Sequence, residues 1–248
     1  MKYFIKFSYD GSCFNGFQRQ EGLKTVQRVL EDALYDLTGS EVSICASGRT
    51  DKGVHARGQC AHFETNREYK LYNLKKFLNN KCDGEIYIKD VSIVNDDFHA
   101  RYDVYGKIYS YYINMGEYNP IDRNYVYQFC DKLDVDLMKE ASLCLLGEHD
   151  FRSFCTDEKS KDNCIRNVYD ISFDVKDDIL KITFFGNGFL RKMIRNIVAI
   201  LIQIGEGKKD VSFMEEVLNN KSREGNLKCA LGCGLYLDEV IYKGDIDE

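Results

Sequence analysis

From Tyr3 to Tyr9 aromatic and polar residues alternate, and the run stops at Asp10-Gly11, which predicts a half-buried strand closed by a turn. Val26, Val29, Leu30, Ala33, Leu34 and Leu37 then recur at helical spacing behind Thr25, a residue suited to cap a helix N-terminus. Val42–Ala46 and Gln59–Phe63 are expected as short strands on either side of a glycine-rich segment. A helix from Tyr69 to Leu78 and a strand from Glu85 to Val94 complete a strand-helix-strand-strand-helix-strand order, the ferredoxin-like split β-α-β plan.

The second half repeats that plan with additions. Lys107–Asn114 reads as a strand, Asp134–Leu146 as a helix, and Val168–Val175 and Ile179–Phe185 as strands; Leu235–Tyr242 closes the chain as another strand. The strongest helical signal runs from Gly188 to Ile204, with Phe189, Met193, Ile197, Ile200, Leu201 and Ile204 on one stripe. Arg191, Lys192 and Arg195 fall in its first two turns, where the helix dipole disfavours cations. Cations placed there have an anion to meet, a carboxylate or a phosphate, unless they lie on a solvated face. The expected architecture is α+β, with one subdomain over residues 1–104, a second over 105–248, and a cleft between them.

Composition narrows the class of activity. Hydrophobic residues make up 44% of 248, enough for packed cores. No apolar run is long enough to span a bilayer, and Lys6 interrupts the N-terminal stretch before it could form a leader, so a cytoplasmic protein is expected. The ten cysteines are scattered with no C-x-x-C pair, and none of the four histidines stands at zinc-ligand spacing with two of them. Reduced, mostly buried thiols and no resident metal or cofactor are expected. A net charge of −6 disfavours a non-specific nucleic-acid coat but leaves room for a local basic cleft.

The segment Ala46–Gln59 carries the chemistry. Gly48 and Gly53 are read as positions for positive φ, and between them a single carboxylate, Asp51, is flanked by Arg49 and Lys52. Neighbouring cations favour an ionised carboxylate, a poor general acid but a credible nucleophile or base; the bland reading is a turn aspartate in Asp51-Lys52-Gly53.

Gly48-Arg49-Thr50-Asp51-Lys52-Gly53-Val54-His55-Ala56 closely resembles the catalytic motif of the tRNA pseudouridine synthase A family. Further blocks follow in that family's order: Gly16–Gln20, Thr25–Gln27, Phe98–Arg101, Lys107–Tyr111, Gly147–Phe154 and Gly188–Asn196. The resemblance implies the pseudouridine synthase fold, two ferredoxin-like-derived halves with a mixed, mainly antiparallel sheet and a central catalytic cleft. It also implies isomerisation of uridine to pseudouridine at positions 38, 39 and 40 of the tRNA anticodon stem-loop, by a homodimer. Asp51 would be the covalent catalyst, Tyr109 would stack on the flipped base, and Arg195 would pair with Asp51. Arg49 would hold the target nucleotide, and Arg191 is a further candidate contact. Nothing in this chemistry asks for a cofactor or a metal. Tyr111 shares a strand face with Tyr109, and Tyr109 alone is favoured. His55 is expected to be a structural hydrogen-bonding residue, and His99 and Arg101 to support the cleft or a phosphate.

Two other readings stay open: a paralogue acting on other uridines, and a non-catalytic tRNA-binding protein. The acidic balance motivates the first of these. So do Leu231 and Cys82, each standing where the family's pattern has proline.

Overall fold

The computed structural model describes residues 1–156, 163–220 and 229–246. The chain divides into two compact units, Met1–Tyr105 joined by the C-terminal stretch from Tyr236, and Gly106–Leu235.

In the first unit, β1 (Lys2–Tyr9) buries every second residue, Tyr3, Ile5, Phe7 and Tyr9, as the alternation predicts. It lies between β3 (His55–Glu64) and β4 (Ile86–Ile93), antiparallel to both, with Tyr3 opposite Phe63 and Ile93. The free side of β3 is shared by two partners. β2 (Cys45–Ala46) pairs antiparallel at Ala61 and His62, and β10 (Leu235–Tyr242) pairs parallel at His55 and Ala56. Helix α1 (Val26–Thr38) starts where Thr25 Oγ1 accepts the Arg28 N–H and ends at Gly39, whose φ of 71° is the left-handed stop. It buries Val26, Leu30, Ala33 and Leu34; α2 (Leu71–Lys81) buries Leu74 and Leu78 and packs against β4. The strand-helix-strand-strand-helix-strand order is present, but β3 begins four residues earlier than expected and takes in part of the glycine-rich segment.

The second unit has an antiparallel run of β5 (Val104–Asn114), β9 (Ile179–Gly186), β8 (Ile165–Lys176) and β7 (Gly147–Asp150), with β6 (Tyr127–Gln128) parallel to β5. Helices α3 (Val135–Ser142), α4 (Met193–Gly205) and α5 (Ser212–Asn220) pack together, and Gly205 lies where a Cβ would collide with Met138. The sheet is therefore mixed and mainly antiparallel, and the class is α+β.

Two helix boundaries depart from the hydrophobic pattern. The helix expected from Gly188 begins only at Met193, because Lys192 sits in the left-handed region at φ 63° and the Met193 N–H turns back to the Leu190 carbonyl. Phe189 belongs to the apolar stripe but serves β5, packing edge-on against Tyr109. Arg191 and Lys192 therefore precede the helix, and only Arg195 occupies its first turn. Likewise α3 stops at Ser142 and hands over to a 3-10 turn at Leu143–Leu145.

Candidate active site

The loop carrying Asp51 is held from three directions. Tyr9, at the end of β1, places its hydroxyl 2.8 Å from Thr50 Oγ1. Gln59, on β3, donates to the Gly48 carbonyl at 3.1 Å and accepts from Ser47 Oγ at 2.7 Å. The Phe17 N–H donates to the Thr50 carbonyl at 3.0 Å, and the Val54 N–H closes the turn onto the Asp51 carbonyl at 3.2 Å. Tyr9, Ser47, Thr50 and Gln59 are all buried, so these bonds form away from water, where leaving one unmade is costly. Burial pushes the Tyr9 phenol up to about 12, so it stays protonated as a hydrogen-bonding post.

Two glycines let the chain close around the loop. Gly16, at φ 93°, brings its Cα face against the backbone of Thr50, Asp51 and Lys52; a Cβ on Gly11 would lie 2.1 Å from the Val54 carbonyl oxygen. Of the two glycines expected at positive φ, Gly53 takes 78°, whereas Gly48 does not and instead offers its carbonyl to Gln59. Within this frame Asp51 is half-buried, between buried Thr50 and exposed Lys52, and Arg49 is exposed two residues away on the same loop.

His55 is buried and stacks on Tyr236 with ring centres 4.6 Å apart. Its Nδ1 accepts the Gly11 N–H at 3.0 Å, with an Asp10 carboxylate oxygen 3.3 Å away. It ties the end of β1 to the start of β3, the structural part expected of it. Spacing could not have supplied Asp10 or Gly11 as neighbours, because they arrive from β1.

In the second unit Tyr109 is buried at 8% exposure and is met edge-on by Phe189 at 5.4 Å. Tyr111, on the same face, is fully buried, with its hydroxyl donating to the Leu231 carbonyl at 2.8 Å. Burial drives the Tyr111 phenol well above its ordinary range, which makes it a core residue and leaves Tyr109 as the tyrosine nearer the surface. Arg195 is half-buried; its Nε donates to the Ala230 carbonyl at 2.7 Å while its own carbonyl accepts the Ala230 N–H at 3.1 Å. This reciprocal pair anchors the side chain to the irregular stretch that leads through a 3-10 turn into β10. Arg191 is exposed, and its carbonyl accepts the Thr156 N–H. The structure thus groups Arg49 with Asp51 in the first unit, and Tyr109, Arg191 and Arg195 in the second.

One cluster had no signal in sequence spacing. Cys45 from β2, His62 from β3 and His99 from the segment after β4 bring a sulfur and two imidazole nitrogens within 4.8 Å of one another. These are zinc-type donors, but their hydrogen bonds oppose the role. Nδ1 of His62 accepts the Ala100 N–H and Nδ1 of His99 accepts the Arg101 N–H, so each ring carries its proton on Nε2. A ligating histidine has the reverse pattern, its second nitrogen donating to an acceptor. His99 instead directs Nε2–H toward Cys45 Sγ, 3.7 Å away. Burial, with His99 and Lys2 adding to it, lowers the His62 pKa and keeps that ring neutral.

Among the described residues no helix is long and apolar enough to cross a membrane. A family model described as tRNA pseudouridine synthase matches residues 6–103 and 141–243. A Streptococcus agalactiae serotype Ia protein named tRNA pseudouridine synthase A is 41% identical over 248 residues, covering 98% of this chain and 96% of its own. A Streptococcus pyogenes serotype M1 protein of the same name is 39% identical over 247 residues, covering 98% and 99%. With the matched segments spanning both units, and the Asp51 loop lying inside the first of them, the chain belongs to the tRNA pseudouridine synthase family.

Proposed function

We propose that the protein isomerises uridine to pseudouridine in tRNA, at positions 38, 39 and 40 of the anticodon stem-loop, with Asp51 as its covalent catalyst. The observation that carries the reading is the Asp51 loop itself: its backbone is fixed by buried Tyr9, Gln59 and Phe17 and by two close-packed glycines, and Asp51 on it is only half-buried. A turn aspartate with no task needs no such frame.

The net change is an exchange of bonds on one nucleotide. The N1–C1′ bond breaks, a C5–C1′ bond forms, the C5 proton leaves, and N1 takes up a proton. No oxidant, reductant or nucleotide co-substrate enters that balance. A uridine within a stem must leave the stack before C1′ and C5 can be reached. In this reading Tyr109 faces the flipped base, where an aromatic ring replaces lost stacking at roughly 1–3 kcal/mol. Arg195, anchored through Ala230, pairs with Asp51 and orients its carboxylate. Arg49 and Arg191 hold the phosphate backbone. The enzyme acts as a cytoplasmic homodimer, and needs no metal. Residues 1–104 supply Asp51, and residues 105–248 supply the base-stacking ring and the arginine.

Loss of the C5 proton gives a direct assay. With tRNA carrying tritium at uridine C5, the wild-type protein releases tritium to water and Asp51→Asn releases none while still binding the tRNA. Release by Asp51→Asn at the wild-type rate would remove Asp51 from the chemistry.

A further inference from the structure

The segment after β4 holds an aromatic ring in water with unusual firmness. Tyr102 is 71% exposed, yet its ring stacks on His99 with centroids 4.2 Å apart and planes inclined by 28°. His99 cannot swing away. Its backbone N–H donates to Asp103 Oδ2 at 2.7 Å, its carbonyl accepts the Tyr102 and Asp103 N–H groups at 3.1 Å, its Nδ1 accepts from Arg101, and its Nε2 faces Cys45. The loop beneath is tied to the core, because the Ala100 N–H donates to His62 and the Ala100 carbonyl accepts the Tyr242 hydroxyl at 2.9 Å. A solvent-facing tyrosine with no partner needs none of this; a ring that must present one open face does.

Two cations share the neighbourhood. Arg101 precedes Tyr102, and Arg49 precedes Asp51 by two residues. Arg49 follows Cys45 of β2 by four residues, and Cys45 Sγ lies 3.7 Å from His99 Nε2, the ring on which Tyr102 stacks. Both arginine side chains are exposed, and neither enters a salt bridge among the described residues. On a chain with six more acidic than basic residues, two unpaired arginines beside a fixed aromatic face stand out.

We propose that Tyr102, Arg101 and Arg49 form a second nucleotide subsite, which takes an unpaired nucleotide of the RNA substrate away from the reacting uridine. The base stacks on the open face of Tyr102, and Arg101 and Arg49 contact its flanking phosphates. The pattern is a stacking platform beside a basic track, the chemistry by which proteins hold single-stranded nucleic acid without reading its sequence. This subsite rests on the proposed synthase function for its substrate, and direct RNA binding tests it separately from turnover.

Affinity for unmodified tRNA and tritium release are measured side by side for wild type, Tyr102→Ala, Tyr102→Leu, Tyr102→Phe and Arg101→Ala, with thermal midpoints as a folding control. Tyr102→Ala and Tyr102→Leu are expected to weaken binding about tenfold, acting on KM rather than kcat, and Tyr102→Phe to restore it. Arg101→Ala is expected to reduce the slope of log affinity against log salt by roughly one contact. Wild-type turnover with unchanged affinity in Tyr102→Ala would overturn the subsite and leave the synthase reading standing. Equal loss in Tyr102→Leu and Tyr102→Ala without rescue by Tyr102→Phe would also overturn stacking. Wild-type binding without turnover, still weakened by Tyr102→Ala, would uphold the subsite and reject the catalytic reading.

Discussion

At residue scale Leu231 and Cys82, the two positions where the family resemblance leads proline to be expected, separate cleanly in the structure. Leu231 already has φ −61° and ψ 148°, the geometry proline imposes, and among the described residues its carbonyl alone is engaged, by Tyr111. Leu231→Pro is therefore expected to stabilise the protein by about 0.4–1 kcal/mol, through a less flexible unfolded chain. Cys82 is different: its N–H caps α2 by donating to the Leu78 carbonyl at 3.0 Å, and the residue before it is helical. Cys82→Pro removes that bond and crowds the last turn, at a cost on the order of 3 kcal/mol. Denaturant midpoints of the two variants should move in opposite directions. His62 sets the pH response on the acid side. Its pKa in the folded state lies below the ordinary 6.5 because burial opposes the charged ring. The unfolded chain then binds more protons, so the contribution is full above pH 6.5 and is lost as pH falls through the lower folded-state value. Urea midpoints between pH 8 and pH 5 should decline below about 6.5, and less steeply in His62→Gln.

Elements show where sequence pattern is enough and where it fails. β1 and α1 were legible because each has one buried face with a clean period, and α1 carries its own start and stop at Thr25 and Gly39; β4 was legible although a shift at Lys89 moves its buried face from Ile86 and Ile88 to Val91. Thr25→Ala should cost about 1 kcal/mol, read as a lowered denaturation midpoint, since Thr25 is buried and its Oγ1 accepts the Arg28 N–H. The start of α4 was not legible. Phe189 falls on the apolar stripe, yet tertiary packing against Tyr109 claims it, and the left-handed Lys192 delays the helix to Met193. That shift restricts the argument about cations at a positive helix end to Arg195. Helix α5 and the two-residue strand β6 carry too little periodic signal to be read, and both owe their form to neighbours. The Asp51 loop was legible as a motif but not as a structure: its supports Tyr9, Gly11, Gly16 and Phe17 come from elsewhere in the chain. Gly11→Ala forces a methyl into the Val54 carbonyl and should destabilise the protein by about 1–3 kcal/mol, with activity falling further than stability.

At the scale of the whole molecule, α+β class and family membership follow from blocks spread across nearly the full chain, while Cys45, His62 and His99 converge in a way only folding reveals. The acidic balance of −6 means that affinity for RNA has to come from a local cluster of cations, the part proposed for Arg49 and Arg101. Binding to tRNA should accordingly weaken steeply with salt. Whether Asp51 isomerises specific uridines of the anticodon stem-loop is decided by mapping pseudouridine nucleotide by nucleotide. Unmodified tRNA transcripts are incubated with wild type or with Asp51→Asn. Product is expected at positions 38, 39 and 40 with wild type and none with the variant. Product at other positions, or product that survives in Asp51→Asn, would contradict the part given to Asp51 at those uridines.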